Sequence, residues 1–236
     1  MRETIKFLTT HPPLLGIDEV LPKPGKHYYP SWFKDMPKIG PFNEVTARNC
    51  PAFPDYFDQG IVIPAWTDMM VYYSSKTNEW IVDLPEGSNY YSVTNHGNGQ
   101  LIDYVTPAFN GKDGKFIFKL NSPWKIITPR GWSVYQLPMF YEFEKDYAMM
   151  PGVIDTDIFH EINMQLVYLT DEKEVFIKRG TPLVQYVPFK RSKIKPEIGT
   201  PTQKDIRKIT VQKDMIIGKF VPSGYYRKMQ KQRDKE

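Results

Sequence analysis

Two carboxylates two positions apart, Asp155 and Asp157, and a guanidinium upstream, Arg130, are the residues best suited to chemistry in this 236-residue sequence. Such a set suits a phosphate ester. Phosphoryl chemistry leans on Mg²⁺ and several donors that neutralise charge together. Gly131, Ser133 and Gln185 add donors to the same candidate ligand-binding set. On that reading Mg²⁺ is the cofactor; on any other reading none is called for. The acids also have a simpler use, because Asp at a strand entrance holds a turn by accepting hydrogen bonds from backbone N–H groups.

Other constellations are weaker. His96, Asp103 and His160 supply the residue types of a two-His-one-carboxylate site for Fe(II), the centre of an oxygenase. His96 and Asp103 lie seven apart, however, and not on alternate positions of one strand. One cysteine, Cys50, is too few for a structural zinc site. At a helical-turn entrance its thiol is a candidate nucleophile, although a small buried hydrophobe is its commoner role. Asn95-His-Gly-Asn-Gly99 lacks the strand-to-helix context and the lysine of a phosphate loop. The five tryptophans are expected in the core and at interfaces.

The elements that must position these groups are mostly strands. Aromatics at 14% and 21 prolines favour short strands joined by stiff turns. Ile61–Tyr73 reads as one bent strand pairing with Glu79–Asp83. Lys115–Leu120, Trp124–Thr128 and Trp132–Leu137 follow at close spacing. A tight turn at Gly152 then leads to a strand over Glu161–Leu169, with Ile162, Met164, Leu166 and Tyr168 on one face and Asn163, Gln165 and Val167 on the other. An acidic hairpin leads into Glu174–Lys178, and a Gly180 turn returns the apolar strand Leu183–Phe189 to the core. Short helical turns are expected near Ser31 and after Cys50. Thr202-Gln-Lys-Asp205 has capping-box spacing and opens an amphipathic helix at about 203–217. The fold class is therefore mainly β, an antiparallel barrel, sandwich or clip of strands, and the resemblance given below makes it β-clip-like. Residues 1–191 form its single β-rich domain with a proline-rich arm at 11–41, and 192–236 form a basic tail.

Charge is unevenly placed. Residues 190–236 hold 14 Lys/Arg against 5 Asp/Glu, so the tail carries +9 and the remaining residues −5 within a net +4. A basic tail on a mildly acidic body suits weak nucleic-acid contact or an acidic partner. No apolar run approaches the ~18 residues that span a bilayer, so no membrane is expected. The lone cysteine and the absence of a signal peptide point to a reducing compartment.

The order of these features resembles the core of the dUTP pyrophosphatase and dCTP deaminase superfamily, the β-clip proteins. There a Gly-apolar-Ile-Asp-x-Asp turn leads through a strand to a Gly…apolar-Ala-Gln-apolar strand. Gly152-Val-Ile-Asp-Thr-Asp157 and Gly180…Leu-Val-Gln-Tyr186 match it, and Pro129-Arg-Gly131 resembles its Pro-Arg-Ser phosphate motif. The resemblance spans about a quarter of the chain, residues 128–189. It implies that Asp155 orients the attacking water and Arg130 contacts phosphate. The departures are several. Ile158 stands where an aromatic packs under the sugar, Gly131 stands where the phosphate-binding Ser is expected, and the first metal-binding motif and the Gly-rich C-terminal arm are missing.

Residues 20–191 also resemble a family of proteins of unassigned function from tailed phages and bacteria. The resemblance is carried by Pro30-Ser-Trp-Phe33, Arg48-Asn-Cys-Pro-Ala-Phe53, Asn121–Ser133 and Gly180–Arg191. It implies a phage setting, in the cytoplasm of an infected cell or in the virion. The leading expectation is a non-catalytic phage protein with a structural or assembly role, a homo-oligomer able to meet a virion or host protein. The alternatives are a nucleotide-binding or nucleotide-hydrolysing enzyme of dUTP pyrophosphatase type and an Fe(II)-dependent oxygenase.

Overall fold

In the computed structural model, residues 3–77, 79–85, 93–95, 117–139, 141–142, 146–169, 174–209 and 232 are described. They contain fourteen strands. The first six are β1 (Lys6–Thr9), β2 (Lys23–Pro24), β3 (Ile61–Pro64), β4 (Met69–Ser74), β5 (Glu79–Asp83) and β6 (Val93–Asn95). Then come β7 (Ile117–Asn121), β8 (Trp124–Ile127), β9 (Trp132–Pro138) and β10 (Tyr147–Met149). The last four are β11 (Gly152–Ile154), β12 (Asn163–Tyr168), β13 (Glu174–Ile177) and β14 (Pro182–Lys190). Every described pairing is antiparallel, so the chain is mainly antiparallel β.

The chain divides into two compact units, residues 1–28 with 59–191 and residues 29–58 with 192–236. The first holds the sheets. A five-stranded sheet runs β11-β9-β14-β3-β2, a four-stranded one β10-β12-β7-β6, a three-stranded one β13-β4-β5, and β1 pairs with β8. β14 is flanked by β9 and β3, which explains why Leu183 to Tyr186 are all buried instead of alternating. Pro188 is tolerated because β3 pairs only as far as Tyr186, so that among the described residues one side of β14 has no ladder there. Ile162 and, within β12, Met164, Leu166 and Tyr168 are buried at 0–1% exposure as expected, while Val167 on the opposite face is buried as well, at 8%. They join Trp66, Trp124, Phe118 and Tyr186 in one apolar core.

Three local expectations are corrected. Residues 61–73 are two strands in different sheets: Pro64 ends the ladder, and Ala65 turns against residues 180–181 (Ala65 N–H to Thr181 O and Gly180 N–H to Ala65 O, both 2.8 Å). Gly152 opens β11 and is not a tight turn; the positive-φ glycines described are Gly131 and Gly180, both at +84°. β12 and β13 form no hairpin, because β13 pairs with β4 while β12 lies between β10 and β7.

The second unit is aromatic and helical. Helices α1 (Ser31–Asp35) and α2 (Ala52–Asp58) bury Phe33 and Phe57. Phe33 stacks on Phe53 at 5.4 Å, Tyr29 meets Phe57 edge-on at 4.9 Å, and Arg48 covers Phe33 at 5.1 Å. Cys50 is half-buried just before α2. The capping box forms: Thr202 N–H donates to Asp205 Oδ2 at 3.0 Å and Asp205 N–H to Thr202 Oγ1 at 3.3 Å. Residues 203–209 are helical, and the rest of the expected helix lies outside the described residues.

Candidate functional site

Two turns meet at one end of the five-stranded sheet. The first, residues 129–131, enters β9; the second, residues 155–158, follows β11, which pairs with β9 in register. Thr128 and Thr156 bind them through their hydroxyls at 2.8 Å, and Thr128 N–H donates to Thr156 O at 3.3 Å. Gly131, with φ +84°, turns its N–H onto Asp157 Oδ2 at 2.8 Å. Thus Asp157 does hold a turn through a backbone N–H, but the turn belongs to the other loop.

Arg191, one residue beyond β14, ties the acids together. Its Nη1 donates to Asp157 Oδ1 and Ser133 Oγ, each at 2.8 Å, and Nη2 donates to Asp157 Oδ2 at 2.5 Å. Asp155 Oδ1 lies 3.0 Å from Nη1 and accepts the Ser133 hydroxyl at 2.6 Å. The Arg191 bonds, then the Gly131 N–H, hold the Asp157 carboxyl down at about 2, while Asp157 raises the Arg191 guanidinium. The side chain of Asp157 is 4% exposed and that of Asp155 54%.

Among the described residues, the other sequence candidates take no part in the Arg191 contacts. Arg130 is exposed. Gln185 is fully buried in β14 beside Gly60, where a Cβ on the glycine would approach it within 2.7 Å. His160 Nδ1 lies 3.0 Å from Thr156 O, while His96 and Asp103 fall outside the described residues. Among the described residues no three His, Cys, Asp or Glu side chains gather as a metal site. Mg²⁺ does not fit the acids as they stand, because both oxygens of Asp157 and one of Asp155 already face a guanidinium.

Asp155 and several residues that sequence reasoning missed as site residues line a cavity of about 360 Å³ beside this cluster. Its walls are the edge strand β11 (Gly152, Val153, Ile154), Asp155, Phe159 and Glu161, with the amides Gln136, Asn163 and Gln165. Both acids on its wall are ion-paired, Asp155 to Arg191 and Glu161 to Lys125. The cavity therefore offers donors and acceptors without net charge. Gln136 is fixed by Tyr186, whose hydroxyl donates to Oε1 at 2.8 Å, and by Met150 O, which accepts from Nε2 at 2.9 Å. The alternation that puts Asn163 and Gln165 on the face of β12 opposite the core is the signal that points to them.

No family model matches the chain, and no curated protein sequence does. Among solved structures, the chain is similar to the native dUTPase of EIAV at 10% identity and a TM-score of 0.35, covering 62% of this chain and 87% of that one. It is also similar to a mutant dUTPase of Staphylococcus bacteriophage 80alpha at 9% identity and a TM-score of 0.29, covering 58% and 98%. A mutant dUTPase from phage phi11 of S. aureus overlaps at 10% identity and a TM-score of 0.28, covering 38% and 74%. Overlaps this loose carry no weight for the chemistry. Among the described residues no helix is long and apolar enough to cross a membrane.

Proposed function

We propose that this chain is a nucleotide- or nucleoside-binding β protein of phage origin that holds a nucleobase in the cavity between β11 and β12 without hydrolysing phosphate. The observation that carries this reading is the cavity wall. A strand edge and three amides surround a space of about 360 Å³, and each acid there is already matched by a cation. A neutral planar ring with hydrogen-bonding edges suits such a wall better than a charged group does. Hydrolysis is disfavoured by Arg191, which holds the two acids that would have to carry metal and water.

The test is to titrate the purified full-length chain with uridine, adenosine, dUTP and dCTP, and to assay triphosphate turnover with Mg²⁺. Binding without turnover is expected. Turnover abolished by Asp155→Ala makes the protein a hydrolase, and no binding at millimolar ligand removes the cavity reading.

Self-association is a second reading, favoured by apolar side chains at the same end of the sheet. Val153, Ile158, Phe159 and Tyr135 are 54%, 76%, 51% and 43% exposed, and among the described residues β11 pairs on one side alone, with β9. The exposed Ile194 and Ile198 lie within the basic segment that follows β14 and suit a partner surface, in the virion or the host. Light scattering after size exclusion tests this; a clean monomer at high concentration refutes it.

A further inference from the structure

Beyond the end of β14 the chain changes character. Residues 192–209 hold five cations, Lys193, Lys195, Lys204, Arg207 and Lys208, against two acids, Glu197 and Asp205. All five cations are exposed, and among the described residues none takes an ion pair. Arg191, just before them, differs in being committed to Asp155 and Asp157. Of the two acids, Asp205 turns its carboxylate back to Thr202, whose N–H and hydroxyl donate to Oδ2 at 3.0 and 2.5 Å.

The helix over residues 203–209 sorts these charges. At about 100° per residue, Lys204, Arg207 and Lys208 fall within an arc of about 100°, with Ile206 and Ile209 on the other side. Like charges three and four positions apart repel and weaken a helix, so a bound polyanion would relieve this face. We propose that the face, with Lys193 and Lys195, is a sequence-independent contact for the phosphate backbone of duplex DNA. A duplex offers one negative charge per about 1.7 Å, a density that several unpaired cations can engage together. Residues 190–209 contain no aromatic side chain to stack on an unpaired base, which disfavours a single strand. They also lack the Trp, Phe or Leu that anchor a basic helix in lipid. The remainder of the chain carries −5, so a polyanion is steered to the segment that follows β14.

Fluorescence anisotropy of the full-length protein with a labelled duplex of about 30 base pairs, at a series of KCl concentrations, reads the contact. The logarithm of affinity is expected to fall linearly with that of salt, by about 0.9 per phosphate engaged, and a scrambled duplex to bind equally well. With Lys204→Gln, Arg207→Gln and Lys208→Gln combined, the slope drops by about 2–3 and affinity at about 0.1 M salt falls on the order of a hundredfold. Glutamine keeps a helix propensity close to that of Lys and Arg, so the helix itself is retained. Lys6→Gln, Lys26→Gln and Lys76→Gln together remove the same charge from exposed positions elsewhere and are expected to leave the slope unchanged. An unchanged slope in the first variant, or an equal drop in the second, overturns the proposal. So does a single strand bound more tightly than the duplex, or no duplex binding at low salt. Capture of phosphatidylserine vesicles by a protein that leaves the duplex free assigns the face to a membrane and overturns it as well.

Discussion

Arg191 and Asp157 meet as parallel prongs, Nη1 to Oδ1 at 2.8 Å and Nη2 to Oδ2 at 2.5 Å, across 34 positions of sequence. The pair clamps the end of β14 onto the turn after β11, and Gly131 completes it from the turn before β9. Two-pronged guanidinium–carboxylate geometry restricts both partners, so the clamp works as a fixed corner and not as a mobile surface pair.

Acid stability follows from that corner. The Asp157 carboxyl is lowered from 3.8 to about 2 on folding. Its contribution is therefore fully present above the unfolded value near 4 and is lost as pH falls through the folded value near 2. Chemical denaturation at a series of pH values between 5 and 2 is expected to show this loss. In Asp157→Asn the slope of stability against pH across that window is shallower.

The glycines of the site differ in what they tolerate. Gly131 has open space around a Cβ position but a φ of +84°, so Gly131→Ala is expected to cost roughly 1–2 kcal/mol from the backbone alone. Gly152 has the same open space and no such φ, so Gly152→Ala stays within about 0.5 kcal/mol of the parent. Urea titration of the two variants checks the contrast.

How far the sequence speaks for this structure depends on whether the signal is local. The alternation of Ile162, Met164, Leu166 and Tyr168 marks a buried face, and the strand appears where it is read, although Val167 on the other face is buried as well. Thr202 and Asp205 form their capping box because its two bonds involve neighbours. Strand pairing is non-local: β13 joins β4 across about a hundred residues, and nothing in either segment announces the other. Asp155, Asp157 and Ser133 stand out by type and motif and do come together. Arg191 was hidden among the cations of the tail, and its partner is set by where β14 ends. Gln136, Asn163 and Gln165 were hidden because an amide on a strand face looks like an ordinary solvent-facing residue until a wall closes opposite it.

The aromatic unit makes a separate prediction. Phe57 is 1% exposed and meets both Tyr29 and Tyr56 edge-on. Phe57→Ala removes a buried ring and leaves a void, at a cost of about 3–5 kcal/mol. Denaturant unfolding measures that loss. A cost below about 1 kcal/mol contradicts the packing described.

The helix that opens at Thr202 depends on its cap. Thr202→Ala removes both the hydroxyl that accepts from Asp205 N–H and the donor to Asp205 Oδ2, with an expected loss of roughly 1 kcal/mol of helix stability. Faster amide exchange confined to residues 203–209 is the expected readout.

Backbone amide shifts on titration with uridine test the cavity most directly. The expected result is saturable movement concentrated at Gly152 to Asp155 and Asn163 to Gln165, lost when Val153→Trp fills the space between β11 and β12. Shifts that are absent at millimolar uridine, or that persist unchanged in the filled variant, contradict a nucleobase at this strand edge.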